Sequence, residues 1–392
     1  MTEKHIVRLA FWMMFIHILD FAIVIPLSPY FIETLHVHVS LIGTVAGIYM
    51  YAAGCSSLLF ARLLTRVSRK KLLILTLLGL AISTALTGLA WDADSLVIAR
   101  IIAGLFGGGM ASMAGTLVTE SVPPERRGKA MGFMMSSITL VMCLGTPISI
   151  YSASLIGWRA VFFTVCAMIA LLSIIVSQLA IPKLNTQIQH SRVKDLLKKN
   201  INWLGFAAVG LSMGTNFFLV PNLANYYVLN RGISLTELSL LYFLSGSLAI
   251  VGTYLAGLGA DRYSIPRLML FISVMVFIFL MLGIFYESIP VLVFMCGFMF
   301  FASARRTIVS VQTSLIPQHE EKPAFMSAQN AVRNFTAATA ATVSGIFLSR
   351  NAQGQLTGID NLVLISIGFG VILLILTLLI QLGLNKRKEE AA

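Results

Sequence analysis

Twelve apolar runs, each near the length that crosses a lipid bilayer, alternate with short polar segments along this chain of 392 residues. A hydrocarbon core about 30 Å thick needs roughly 20 apolar residues of helix, and a helix satisfies its backbone polar groups within one segment. The pattern therefore predicts an all-α integral membrane protein. We place the spans at residues 6–32, 39–62, 72–91, 95–119, 128–154, 158–181, 203–229, 236–260, 266–286, 289–315, 324–349 and 360–383.

The composition excludes two broad classes of protein. Charged residues make up 11% of the chain, against about 25% in a typical soluble domain. The chain cannot cover itself with a solvated surface, so a cytosolic enzyme and a secreted disulfide scaffold are excluded. The sequence contains no P-loop and no evident nucleophile–base pair or metal cluster, and we expect neither enzymatic activity nor a bound cofactor. The cysteines lie in apolar runs without CxxC spacing and are interpreted as small core residues.

The longest polar stretch, residues 182–202, divides the chain into an N-terminal six-helix bundle (1–181) and a C-terminal six-helix bundle (203–392). This linker can form an interfacial helix or a solvated connection. Lys and Arg concentrate on the side of the membrane that holds the linker and both termini. The positive-inside bias therefore predicts a multi-pass protein of the cytoplasmic (inner) membrane with both termini cytoplasmic. We therefore attribute the formal charge of +12 to this topology and to contact with the lipid bilayer, and we expect no nucleic-acid partner.

The two halves resemble each other at an offset of about 195 residues. Leu19–Pro26 in span 1 parallels Thr215–Pro221 in span 7, and Leu64–Arg66 after span 2 parallels Ala260–Arg262 after span 8. Parallel six-span repeats are a transporter architecture, with the substrate site at the repeat interface. The repeat thus predicts a secondary transporter that moves a small organic solute by alternating access.

Several loop and helix segments point to one family. Ala61–Leu72 and Gly257–Ser264 both resemble the G-x-L-a-D-R-x-G-R-K loop signature of the major facilitator superfamily. Arg100–Gly104, Pro123–Ala130 and Gly157–Arg159 are also typical of that superfamily. The resemblance covers the whole chain and is greatest to the twelve-span drug:proton antiporter group. It implies two pseudo-symmetric six-helix bundles, a proton gradient as the driving force, and efflux.

The family resemblance also implies a cytoplasmic gate formed by the loop signatures. The residues that it assigns to this gate are Arg66, Arg69, Asp261 and Arg262. The first loop copy has Thr65 where the family has aspartate. Span 5 retains only Gly145-Thr146-Pro147 of the family's antiporter element. Uptake or facilitated diffusion of a metabolite or a siderophore-like carboxylate is therefore an alternative, and so is a lipid flippase.

Five charged residues fall within the predicted spans. Each centrally placed charge costs about 2.5–3.5 kcal/mol on insertion scales, so such residues need an aqueous cavity or a partner. Asp20 is the acidic residue near the middle of a span, and His17 precedes it by one helical turn. We predict that Asp20, with His17, takes up the coupling proton. The alternatives are an aspartate permanently paired with an arginine or amide, and a structural histidine.

The remaining intramembrane charges are arginines. Arg100 is assigned a structural or coupling role, and the substrate-binding set is Arg305, Arg306, Arg333, Asn216, Asn330 and Asn334. Neighbouring helix positions point about 100° apart, so Arg305 and Arg306 cannot both face one point. Four arginines against one aspartate give a formal charge of +3. Since a guanidinium matches carboxylate and phosphate geometry, we expect an anionic or zwitterionic substrate, carried by a monomer.

Overall fold

The structure, a computed structural model, describes residues 2–63, 68–179, 196, 199–286, 289–318 and 321–391. These residues are almost entirely helical, which confirms the predicted all-α class. The helices are α1 Glu3–Ala22, α2 Ser28–Thr34, α3 Val39–Leu63, α4 Arg69–Gly88, α5 Ala93–Ser121, α6 Pro124–Leu140, α7 Thr146–Ile156, α8 Trp158–Gln178, α9 Asn200–Phe217, α10 Val220–Arg231, α11 Leu235–Arg262, α12 Ile265–Phe285, α13 Val291–Ser314, α14 Lys322–Ser344 and α15 Ile359–Ala391. A short antiparallel hairpin, β1 Ser349–Arg350 with β2 Leu356–Thr357, joins α14 to α15.

Within the described residues, eleven helical segments are long and apolar enough to cross a membrane. The chain is therefore a multi-pass membrane protein. The predicted span 324–349 corresponds to α14, which has 23 residues but is less apolar than the other eleven segments. Its polar side chains, among them Gln329, Asn330 and Asn334, lower its mean hydropathy.

Two of the predicted continuous spans are broken. The span predicted at 6–32 is interrupted between α1, which ends at Ala22, and α2, which begins at Ser28. The span predicted at 203–229 is interrupted between Phe217 and Val220. Pro26 and Pro29 lie at the first break and Pro221 at the second. Proline lacks a backbone N–H and disfavours helical geometry in the residue before it, which explains why one helix ends and another begins.

The predicted span 128–154 contains a wide helical turn. Val141–Gly145 forms a π-helical turn between α6 and α7, in which the Thr146 N–H donates to the Val141 carbonyl, five residues earlier. Pro147 follows directly and cannot donate a backbone hydrogen bond. Such turns insert one extra residue into an α-helix and often lie at functional sites.

The residues group into two compact units, Met1–Gln187 with Ala224–Phe243, and Ile188–Leu223 with Leu244–Ala392. The predicted boundaries at 181/182 and 202/203 stay predictions. Most of the predicted linker lies outside the described residues, which include only residues 196 and 199–202 of it.

In the first unit, α5 packs closely on α3, and also contacts α1 and α4. The close approach depends on two glycines of α5. A Cβ at Gly104 would collide with the Tyr49 carbonyl, and one at Gly108 would collide with the Ala53 carbonyl and the Ser56 hydroxyl. Small residues at these positions let the two backbones meet.

A capping box begins α5 and fixes the start of that helix. The Ser95 N–H donates to the Asp92 carboxylate at 2.8 Å, and the Asp92 N–H donates to the Ser95 hydroxyl at 3.1 Å. Hydrogen bonds from the Ser95 side chain and backbone lower the pKa of the exposed Asp92 carboxyl below its usual value. This cap sets the register that carries Arg100 into the interior of the first unit.

In the second unit, α9 packs against α14 and α15, and α12 packs against α13 and α15. The apolar core of this unit includes Phe206 on α9, Ile308 on α13 and Leu373 on α15. Phe206 stacks on Phe325 of α14 with ring centroids 4.9 Å apart. The helices that carry the predicted substrate-binding arginines are thus held by a continuous apolar core.

We predict that Gly104→Ala destabilises the protein by about 1–3 kcal/mol, because the added methyl group overpacks the α3–α5 contact against a backbone carbonyl. The matched control is Gly115→Ala on the same helix, where the new Cβ meets no atom within 4 Å. We expect that control to be neutral or stabilising by up to about 1 kcal/mol, since alanine favours helix. Unfolding of the purified variants in detergent measures both effects. Equal stability of the two variants would contradict the packing argument.

Candidate functional site

Asp20 and Arg100 form a buried ion pair in the first unit. The Arg100 Nη1 lies 3.2 Å from the Asp20 Oδ2, and the side chains are 1% and 0% exposed. The Arg100 Nη2 donates to the Asp20 backbone carbonyl at 3.2 Å, and the Thr84 hydroxyl donates to Oδ1 at 2.8 Å. Both carboxylate oxygens therefore have a partner. The pairing with an arginine, weighed above as an alternative, is observed, while the coupling role of Asp20 stays a prediction.

Tyr49 on α3 connects this ion pair to His17. The Arg100 Cζ lies 4.5 Å from the centroid of the Tyr49 ring, within the range of a cation–π interaction. The Tyr49 hydroxyl and the His17 Nδ1 form a hydrogen bond of 3.0 Å. Gly107 leaves the room for this bond, because a Cβ there would collide with the Tyr49 hydroxyl. A buried network thus links α1, α3, α4 and α5.

The Asp20 carboxylate compensates the charge of the Arg100 cation. Without that compensation a buried guanidinium would lack its counter-ion, which is strongly unfavourable. The ion pair therefore ties α1 to α5.

The second unit holds the other three intramembrane arginines. Arg305 on α13 is 1% exposed, and its Nη2 donates to the Thr215 hydroxyl of α9 at 2.7 Å. The Arg306 Nη2 donates to the Ser303 hydroxyl of its own helix at 2.8 Å. The Arg333 Nη2, on α14, donates to the Ser310 hydroxyl at 3.0 Å. The partners of these cations are therefore neutral hydroxyl groups.

No carboxylate lies within ion-pair distance of these three arginines in the part of the chain that the structure describes, where the ion pairs are Arg100–Asp20, Arg126–Glu3 and Lys199–Glu321. Electrostatic repulsion acts between Arg305 and Arg306 and between Arg306 and Arg333. Several of their N–H groups also lack hydrogen-bond partners among the described residues, namely Arg305 Nε and Nη1 and Arg333 Nε. A buried cation without a counter-ion is costly, so this cluster is suited to an anion that enters from outside.

The predicted divergence of Arg305 and Arg306 is visible in their contacts. Arg305 reaches toward Thr215 on α9 and toward Gly370 on α15, where a Cβ would lie 3.3 Å from its Nη1. Arg306 instead binds Ser303, one turn earlier on α13. The two guanidinium groups thus have different neighbours, as the 100° step of the helix requires.

The three predicted asparagines differ in their burial. Asn216 is buried, and its side-chain amide donates to the Ser212 carbonyl of the same helix at 2.7 Å. It occupies on α9 the place that Asp20 holds on α1 in the sequence repeat, and both residues are buried. On α14, Asn330 is exposed and Asn334 is half-buried. Their contribution to substrate binding stays a prediction.

The predicted gate residues are only partly described. Arg66 lies outside the described residues, and Arg69 begins α4 with a side chain that is also outside them. Asp261 and Arg262 are exposed at the end of α11. Arg262 lines a cavity of about 420 Å³ together with Tyr263 and Arg267. The gating role of these residues stays a prediction.

Four residues on neighbouring helices that complete the two clusters were not predicted from the sequence, namely Tyr49, Thr84, Thr215 and Ser310, and neither was Ser303 on the helix of Arg306. They carry no formal charge, and a hydroxyl in an apolar run is common in membrane helices. Thr215 alone had a signal, because it belongs to the repeat segment that parallels Leu19–Pro26. The others depend on which helices pack together, which the periodicity of one helix does not reveal.

We predict that Asp20→Asn lowers the free energy of unfolding by about 3–5 kcal/mol, since it leaves Arg100 as an uncompensated buried cation. Arg100→Gln should cost less, because the remaining carboxyl group can be neutralised by a proton. The double variant Asp20→Asn/Arg100→Gln should recover part of the loss. Unfolding in detergent provides the comparison. A double variant as unstable as the sum of the single variants would rule out this coupling.

Comparison with known proteins identifies a family and a fold for this chain. Residues 10–341 match the family described as Major Facilitator Superfamily. A bacterial homologue of the human lysosomal transporter Spinster, inward-facing and occupied, is similar with a TM-score of 0.79 and 14% identity over 96% of each chain. A variant of the nucleoside transporter NupG has a TM-score of 0.74 at 16% identity, covering 96% of this chain and 99% of its own.

A third solved structure, the xylose transporter XylE from E. coli in an inward-open conformation, has a TM-score of 0.70 and 16% identity, covering 97% of this chain and 96% of its own. At these identities the structural likeness shows the fold and not the substrate. The predicted fold of two six-helix bundles fits these comparisons.

Proposed function

Because this chain belongs to the major facilitator superfamily, we propose that it is a secondary transporter that moves a small organic anion or zwitterion across the membrane by alternating access. Its family and its structural neighbours indicate a transporter and not an enzyme, as the sequence predicted. The observation that carries the proposal is the cluster of Arg305, Arg306 and Arg333, whose partners among the described residues are hydroxyl groups.

Electrostatics favour an anion over a cation at this cluster. In a region of low dielectric constant, a substrate cation would add its repulsion to that already present among the three guanidinium groups. A carboxylate or phosphate would instead accept charge-assisted hydrogen bonds from N–H groups that lack partners among the described residues. The substrate thus supplies the negative charge that the second unit does not provide within its described residues.

Coupling to protons is assigned to Asp20. The support is its ion pair with Arg100, since a proton on the carboxylate removes the charge that holds the pair together. His17 reaches the same network through Tyr49. With the family resemblance, this supports proton-driven efflux of the drug:proton antiporter type. The distribution of Lys and Arg supports an inner-membrane location with both termini cytoplasmic.

One observation favours a second candidate, uncoupled uptake or facilitated diffusion of a carboxylate. Both Asp20 oxygens have partners, Arg100 and Thr84, so the carboxylate also fits a permanent structural role. In that case the ion pair only ties α1 to α5, and transport follows the substrate gradient. Coupled and uncoupled transport are separated by the Asp20 variant below.

We predict that organic carboxylates bind to the purified transporter and that cationic dyes do not compete with them. The reason is the positive charge of Arg305, Arg306 and Arg333, for which the described part of the chain provides no carboxylate partner. A competition screen by thermal shift in detergent, with matched carboxylate and amine pairs, measures the preference. Better competition by cationic dyes than by carboxylates would overturn the anion assignment.

We predict that Asp20→Asn abolishes accumulation driven by a pH gradient, while counterflow in proteoliposomes without a gradient survives. The amide keeps the size of the side chain but cannot exchange a proton. Retained counterflow shows that the variant is folded and binds substrate. If Asp20→Asn still concentrates substrate against a pH gradient, the coupling assignment is wrong and another group carries the proton.

A further inference from the structure

Arg305 has more hydrogen-bond donors than partners. A guanidinium carries five N–H groups, and the side-chain acceptor observed for Arg305 is the Thr215 hydroxyl. Its Nε and Nη1 are buried and have no hydrogen-bond partner in the described part of the chain. Leaving a buried charged donor unpaired is more costly than leaving a neutral one. The unpaired N–H groups of Arg305, beside Thr215 and Gly370, are thus suited to one oxyanion.

Arg306 and Arg333 form a second subsite, separate from the surroundings of Arg305. Ser303, Arg306 and Ser310 follow one another at i, i+3 and i+7 on α13 and therefore share a face of that helix. Arg333 reaches this face from α14 through its hydrogen bond with Ser310. The Nε of Arg333 is also buried without a partner in the described residues. Repulsion between Arg306 and Arg333 favours an anion that both can contact.

The two places lie on different sides of α13. Arg305 points to α9 and α15, whereas Arg306 lies about 100° around the helix and shares its face with Ser310 and Arg333. A single negative charge would leave two of the three cations uncompensated. Two anionic groups, one on each side, give both sides of α13 a counter-ion and leave one of the three cations uncompensated. The arrangement therefore favours a ligand with two separated negative groups over a ligand with one.

We propose that the transported solute is a dianion, with one anionic group bound by Arg305 and the other by Arg306 and Arg333. This inference rests on the proposed function of the same site as an anion-binding site, and it adds the number of charges and their division between subsites. A dicarboxylate and a phosphate monoester that also carries a carboxylate share the required chemistry. The distance between the two groups of the solute then becomes a determinant of specificity.

The test uses the purified full-length protein in detergent and straight-chain dicarboxylates from succinate to sebacate, each paired with the monocarboxylate of equal length. Binding is measured by titration calorimetry. At one optimal chain length, we expect the dicarboxylate to bind about 10–100-fold more tightly than its monocarboxylate, since a second set of hydrogen bonds to a charged group is gained. Carboxylated phosphate monoesters of the same length form a parallel arm that decides between the two chemistries.

The arginine variants divide the subsites. Arg305→Gln should remove the advantage of the dicarboxylate while monocarboxylate affinity changes by less than about threefold, because the Arg306–Arg333 subsite remains. Arg333→Gln should also remove the advantage of the dicarboxylate, while the monocarboxylate still binds at the Arg305 subsite. The matched control is Arg350→Gln in β1, whose Nε donates to the Gly354 carbonyl outside this cluster, and it should bind both ligands as the unchanged protein does.

Gly370→Ala keeps the test informative if Arg305→Gln fails to fold. Its new Cβ would lie 2.6 Å from the Phe277 ring and 3.3 Å from the Arg305 Nη1. The ring must therefore move and the guanidinium must shift slightly, without loss of its charge, which should weaken binding of the dicarboxylate more than that of the monocarboxylate. Equal affinity for both ligands, with equal weakening by Arg305→Gln, would overturn the two-subsite inference while anion binding stands. Binding of cations in place of any carboxylate would overturn the proposed function itself.

Discussion

A charge inside a membrane must be compensated, and the two units of this protein meet that requirement in opposite ways. In the first unit, Arg100 finds its counter-ion in Asp20, with Thr84 and Tyr49 completing the surroundings of the pair. In the second unit, Arg305, Arg306 and Arg333 have hydroxyl partners, and their counter-ion is assigned to the solute. Among the described residues, the first unit thus holds an intramembrane ion pair, and the second holds three intramembrane cations without a carboxylate partner.

This difference gives the units different tasks in the proposed cycle. A closed ion pair responds to protons, because neutralising one member disrupts it. An open cluster responds to substrate, because only a bound anion relieves the repulsion among its members. The sequence repeat places Asp20 and Asn216 at equivalent positions, and this single exchange of a carboxyl for an amide accompanies the division of roles. The amide of Asn216 is satisfied by its own helix and needs no cation.

The sequence predicted the helices better than it predicted the side-chain partners. Length and hydropathy located the eleven helical segments that are apolar enough to cross a membrane among the described residues, because a membrane helix must be apolar over a fixed distance. The breaks near Pro26 and Pro221 were missed as helix ends, since apolar residues continue through them. The five intramembrane charged residues were recognised as candidate functional residues, because placing a charge inside a membrane costs free energy. The ion pair of Asp20 with Arg100 joins residues 80 positions apart, and neither periodicity nor motif selects that partner from four arginines. Tyr49 and Thr84, which are uncharged, left no signal at all.

The π-helical turn at Val141–Gly145 has a consequence for comparing this protein with its relatives. The turn holds one residue more than an α-helical turn would in the same length of helix. A relative in which this stretch is a regular α-helix will therefore superpose on both α6 and α7, yet its sequence will align only with a one-residue gap. Forcing an ungapped alignment across residues 141–145 would rotate every assignment in Thr146–Ile156 by about 100° about the helix axis, and would exchange positions that face neighbouring helices for positions that face lipid.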